Sequence, residues 1–176
     1  MKPSGGRLKS PAMRVFGFAG WSGSGKTTLI EKLIPRFAGA GLRVSLIKHA
    51  HHTFDVDQPG KDSYRHRHAG ALEVLVTSSR RAARASAPSG AAEPAFDEQL
   101  ARLSPCDLVI VEGFKHAPIP KLEVWRRATG EPLLHPNDEH IVAVASDARI
   151  ETRLPVLDLN DDAQIASFIL AHLRLQ

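Results

Sequence analysis

Cysteine occurs once in 176 residues, at Cys106, so no internal disulfide can form and the chain suits a reducing compartment. Aromatic residues amount to 6%, too few to interleave with basic side chains as a platform for stacked bases. No apolar run approaches the roughly 20 residues needed to cross a bilayer. The opening MKPSGGRLKSPAM carries positive charge without the apolar stretch of a secretory signal. Residues 1–13 are therefore expected to form a disordered basic tail, and the protein is expected to be cytoplasmic. Its excess charge of +4 lies largely in or beside that tail, at Lys2, Arg7, Lys9 and Arg14, and in a cluster at Arg80, Arg81 and Arg84. Solvated charge with affinity for small anions accounts for this better than a polynucleotide does. Neither nucleic acid nor membrane is expected as a partner.

What is present is the composition of an ordinary globular domain, 43% hydrophobic and 24% charged, expected over 14–176. RVFGFA (14–19) reads as a short buried strand. Lys26 to about Ala38 reads as a helix, with Leu29, Ile30, Leu33, Ile34 and Phe37 on one face. Pro35 should bend or tighten it, and Gly39 and Gly41 should end it. RVSLIKH (43–49), EVLVTS (73–78), CDLVIVEG (106–113) and IVAVAS (141–146) read as strands, and Pro155 introduces VLDL. Short helices are expected from Asp62-Ser63 through Ala69 and from Phe96 to Leu103. KLEVWRR (121–127) alternates like a half-exposed strand. Residues 80–95, rich in Ala, Ser, Pro and Arg, look like an exposed excursion. A last helix is expected after a cap at Asn160 or Asp161, with Ile165, Phe168, Ile169 and Leu173 inward. The sum is a three-layer α/β domain with a mostly parallel sheet, whose ligand should lie at the carboxyl ends of the strands.

The strongest chemical signal is GWSGSGKT (20–27), which fits G-x-x-x-x-G-K-[ST] between a strand and an amphipathic helix. Its candidate contacts to a nucleoside triphosphate are Gly20, Ser22, Gly23, Ser24, Gly25, Lys26, Thr27 and Thr28. The glycines let backbone N–H groups turn inward. Lys26 brings a point charge to the β/γ-phosphates, and the Thr27 hydroxyl is placed for Mg²⁺ beside the positive end of the helix. A nucleotide-bound Mg²⁺ wants a further carboxylate at a neighbouring strand end, and DLVIVEG offers Glu112. Asp107, at the strand's other end, would lie at the wrong edge of the sheet. Gly113 leaves room for the backbone near the γ-phosphate. Lys26 and Glu112 are thus the candidates for catalysis.

The loop after the second strand gathers His49, His51, His52, Asp55, Asp57, Lys61 and Asp62. HAHH lacks a complete transition-metal ligand set. The better reading is a loop facing phosphate and Mg²⁺, in which Asp57 or Asp62 holds a metal-bound water and Lys48 or Lys61 meets an anion. No NKxD is present to select guanine. Asp147, after IVAVAS, is the candidate acceptor for guanine N–H groups, with a turn or helix cap as its plainer role.

Taken together, GWSGSGKTTLIEKLI, IKHAHHTFDVDQPGKDSYRHRHAGA and DLVIVEGFKHAPIPKLEVWR resemble the MobB family of molybdopterin-guanine dinucleotide biosynthesis adaptors. HHTFDVDQPGKDS and VEGFKH, in that order, are the specific parts. The resemblance implies a P-loop fold, GTP and Mg²⁺ as ligands, weak GTPase activity and a homodimer. It also implies assistance to a MobA-type guanylyltransferase, which joins GMP to molybdopterin. The DVDQPGKDS segment would then face the nucleotide or a pterin phosphate. Some members of the wider class carry a lysine directly after the first glycine of the loop, where this chain has Trp21, so lysine catalysis across a dimer is not expected. KLEVWRR and an exposed Ile119 are candidates for the dimer surface. The alternative function is an ATP-dependent small-molecule kinase using the same cradle, with Asp55, Asp57 or Asp62 as base.

Overall fold

A computed structural model describes residues 12–50, 62–78 and 96–175. Seven strands form one parallel sheet: β1 (Arg14–Ala19), β2 (Val44–Ala50), β3 (Glu73–Ser78), β4 (Leu108–Glu112), β5 (Lys121–Trp125), β6 (Ile141–Ser146) and β7 (Val156–Asp158). Their spatial order is β3-β2-β4-β1-β5-β6-β7, with every adjacent pair parallel. Parallel strands need crossovers that cover the faces, so central strands become apolar throughout. VIV in β4 is the clearest case, buried on both sides.

On one face lie α1 (Lys26–Gly39) and α4 (Asp162–Leu173), with α2 (Asp62–His68) against α1. Leu29, Ile30, Leu33, Ile34 and Phe37 recur at helical spacing along α1 and are all buried against Phe16, Phe18, Leu46 and Ile110. Burying such a side chain contributes about 1.5–3 kcal/mol, so this stripe, more than helix propensity, fixes α1 on the sheet. Pro35 falls on the exposed side, and the helix continues to Gly39, with Ala40 as its C-cap. Asp161 caps α4 by accepting from the Gln164 N–H at 2.9 Å.

The other face carries α3 (Phe96–Ala101) and two crossovers that contain no α-helix, 113–120 and 126–140. Both are fastened by charged residues of β5. Far from being half-exposed, KLEVW is a central strand in which Lys121 and Glu123 are buried. Lys121 donates to the Lys115 carbonyl at 2.8 Å and pairs with Asp138 at 2.6 Å. Glu123 accepts from the backbone N–H groups of Leu134 at 2.6 Å and His135 at 3.0 Å, with His135 Nδ1 at 3.1 Å. Ile119 is buried too, packed with Ile47, Val109 and Val111. The expectation that KLEVWRR and Ile119 offer a dimer surface is corrected accordingly for Ile119 and Lys121–Val124. They are interior residues. The tail at 1–11 and the segments 51–61 and 79–95 lie outside the described residues, and with them Asp55, Asp57, Lys61 and the arginine cluster.

Candidate functional site

GWSGSGKT joins the end of β1 to the start of α1 at the carboxyl edge of the sheet. Gly20 has φ +148°, and a Cβ there would sit 2.5 Å from the Val124 carbonyl oxygen, so only glycine passes under β5 at this point. The 14-residue α1 begins with no side-chain cap and no acidic residue in its first turn. Its leading N–H groups and positive dipole end therefore point into the loop, an arrangement that favours an anion.

Lys26 folds back over the loop and donates to the carbonyls of Gly20 and Trp21 at 2.8 and 2.9 Å. Burial lowers its pKa from the usual lysine value, with the facing Glu112 opposing that shift and Lys48 and Lys115 adding to it. Two ammonium groups, of Lys26 and Lys48, thus share a cavity with the Glu112 carboxylate among the described residues. Ser22, Gly23, Gly25, Lys26, Thr27, Thr28, Lys48 and Glu112 line a cavity of about 440 Å³.

Register explains how distant residues meet here. Lys48 on β2 and Glu112 on β4 are paired positions, and Glu112 is also paired with Phe18 just before the loop. Thr27, on the first turn of α1, donates to Glu112 Oε1 at 2.9 Å. The Lys48 ammonium is 3.4 Å from Glu112 Oε2 and 3.4 Å from Thr27 Oγ1. Burial alone would raise the Glu112 carboxyl. The His66 imidazole, the Lys48 charge and the Thr27 hydroxyl outweigh it and hold the group below the usual carboxylate range.

The other expected residues are placed differently. Ser24 is buried beneath the loop. Gly113 lies just outside this cavity, lining a neighbouring cleft with His49, Phe96 and Phe114. Asp62 opens α2. Asp107 is at the opposite end of β4, as expected, accepting from the Arg43 N–H at 2.7 Å. Asp147 stays at the surface but is engaged by the protein: it accepts from the Arg127 N–H at 3.1 Å and lies 3.6 Å from Arg126.

Three contributors were not anticipated. Arg126 donates to the Ser24 carbonyl at 3.0 Å, and its guanidinium closes in where a Cβ on Gly25 would be. A basic residue just past a strand end was the available signal, but its use depends on β5 lying beside β1. His66, fully buried on α2, faces Glu112 Oε2 at 3.7 Å, and neither ring nitrogen has a hydrogen-bond partner among the described residues. Trp21 anchors the loop's outer limb by donating from its indole to the Pro132 carbonyl at 2.8 Å, while Lys115 stands 5.1 Å over its ring.

Among known proteins, the family model described as MobB, Molybdopterin guanine dinucleotide synthesis protein B, matches residues 15–147. The Molybdopterin-guanine dinucleotide biosynthesis adapter protein of Escherichia coli strain K12 is 43% identical over 162 residues, covering 90% of this chain and 93% of that protein. The protein of the same name from Haemophilus influenzae is 43% identical over 156 residues, covering 88% and 86%. The crystal structure of a MobB protein homolog from Bacillus stearothermophilus superposes with a TM-score of 0.58 at 25% identity, over 93% of this chain and 100% of that one.

Proposed function

The chain belongs to the MobB family, and from that membership we propose that it is an adapter of molybdopterin-guanine dinucleotide biosynthesis that binds GTP with Mg²⁺ in the 20–28 cradle. In this reading it hydrolyses GTP weakly at most and assists a MobA-type guanylyltransferase in the cytoplasm, as a homodimer. No described helix is long and apolar enough to cross a membrane. The observation that carries the reading is the uncapped start of α1 set against Lys26, Lys48, Thr27 and Glu112.

The residues fit a hard divalent cation. Glu112 Oε2 is buried and accepts no hydrogen bond from a described residue, and the Thr27 hydroxyl lies beside the same carboxylate. Thr27 and Glu112 would hold the metal, which when bound neutralises charge on the β- and γ-phosphates. Lys26 exchanges the Gly20 and Trp21 carbonyls for phosphate oxygens, and the N–H groups at the start of α1 orient the phosphate chain. Arg126 keeps the loop's shape by holding the Ser24 carbonyl. The DVDQPGKDS segment would face the nucleotide or a pterin phosphate, with Asp57 or Asp62 and Lys61 as its contributors.

Calorimetric titration of GTP and of ATP, each with Mg²⁺, tests the proposal. GTP is expected to bind selectively, and Lys26→Ala to abolish binding. Preference for ATP would move the search to a small-molecule kinase, and no binding of either nucleotide would overturn the nucleotide reading.

A further inference from the structure

Lys48, Thr27 and Glu112 form a closed triangle. The ammonium is 3.4 Å from Glu112 Oε2 and 3.4 Å from Thr27 Oγ1, and the hydroxyl donates to Glu112 Oε1 at 2.9 Å. The carboxylate side chain is 7% exposed and the lysine side chain 14%, so water screens the pair poorly. His66 closes the side of Oε2 at 3.7 Å, and Lys26 is directed to the loop carbonyls. Among the described residues, Lys48 is therefore the cation placed to serve both oxygen groups that a divalent ion would use.

We propose, resting on the nucleotide reading above, that Lys48 is a built-in stand-in for the divalent cation and sets the order of binding. It keeps the Thr27–Glu112 pair closed to free metal, and it leaves when a polyphosphate competes for its ammonium. Metal then enters with the nucleotide and not before it. The argument is electrostatic. An ammonium and a dication cannot share one poorly screened carboxylate at contact distance, and their repulsion there weakens metal binding by about tenfold or more. Removing the lysine should improve free-metal binding, a gain that damage to the site would not produce.

The test is a Mn²⁺ titration of the full chain without nucleotide, followed by electron paramagnetic resonance, on the wild type, Lys48→Met and Lys48→Arg. Lys48→Met is expected to bind Mn²⁺ about tenfold or more tightly than the wild type. Lys48→Arg, which keeps the charge, is expected to stay near the wild type, and adding Glu112→Gln to Lys48→Met should erase the gain. Lys48→Gln gives the same comparison should the methionine variant fold poorly. Equal Mn²⁺ affinity in wild type and charge-neutral variants would overturn the inference, as would a gain that survives Glu112→Gln. Repeating the wild-type titration with GTP separates the two ideas: absence of GTP-dependent Mn²⁺ uptake sinks the nucleotide reading, while the nucleotide-free comparison alone decides the role of Lys48.

Discussion

Glu123→Gln should destabilise the protein although it changes one atom, because the carboxylate does the work that a helix does in most parallel crossovers. Residues 126–140 return the chain from β5 to β6 with only two short 3₁₀ turns, Arg127–Thr129 and His135–Asn137. Their grip on the sheet centres on Glu123, which is completely buried and takes the N–H groups of Leu134 and His135 together with the His135 ring. A hydrogen bond to a charged group contributes about 1.5–3 kcal/mol, and a buried donor left unpaired costs about 1–3 kcal/mol. The glutamine retains one acceptor and turns an NH₂ toward a second donor. Roughly 3 kcal/mol should be lost, which for a chain of this length is a fall in Tm of roughly 6–12 °C. Thermal unfolding followed by circular dichroism measures it. Loosening should also reach the 20–27 loop, because Trp21 is bonded to Pro132 in the same crossover. A Tm within a degree of wild type would mean that the crossover is held by other contacts and would refute the account of β5.

Other expectations can be checked with the same protein. Gly113→Ala places a Cβ 2.7 Å from the His49 carbonyl at φ +94°, so a loss of about 2–4 kcal/mol is expected in urea unfolding. Phe37→Ala removes a fully buried ring from the α1 stripe, and about 3–5 kcal/mol should go with it. Burial alone would raise the Asp138 carboxyl, but Lys121 and His140, through its backbone N–H and its charge, outweigh it and hold the group below the usual carboxylate range. Its folded pKa is thus depressed, so the stability it contributes is present above the unfolded carboxylate value and is lost as pH falls through the lower folded value. Asp138→Asn should flatten that acid limb of the unfolding curve, and an unchanged limb would count against the pair.

The sequence made some parts of this architecture plain because local chemistry and tertiary role coincide there. RVFGFA, EVLVTS and IVAVAS are strands over the residues their patterns indicate, and the α1 stripe is the buried face. Of the cradle, Thr27 and Glu112 could be paired in advance because a parallel strand must bring its last residue to the loop edge. β5 misled for the converse reason. K-L-E-V-W has the period of a strand with one wet face, and nothing local says that β1 and β6 flank it or that the charged face is roofed by crossovers. The same ignorance of strand order hid Arg126, which reaches the loop only because β5 lies next to β1. His66 was hidden by its surroundings in RHRHAG, where one of four successive basic residues turns inward and the rest give no sign of it.

Arg126 also bears on Asp147. The residue offered by the sequence for guanine recognition already serves the protein: one oxygen accepts from the Arg127 N–H, and the other lies 3.6 Å from the guanidinium that holds the Ser24 carbonyl. To accept the N–H groups of guanine with both oxygens, Asp147 would have to share oxygens already engaged by Arg127 and Arg126, while Arg126 keeps its bond to the Ser24 carbonyl. The two roles make opposite forecasts for Asp147→Ala. If Asp147 acts through Arg126, the variant slackens the phosphate loop, and calorimetry should show GTP and ATP weakened by the same factor. If it reads the base, only GTP should weaken, by about tenfold or more for lost paired hydrogen bonds, and selectivity should collapse. The occupied geometry favours the first outcome. A purely GTP-specific loss would show that Asp147 reads the base and that its contact with Arg126 does not set the loop.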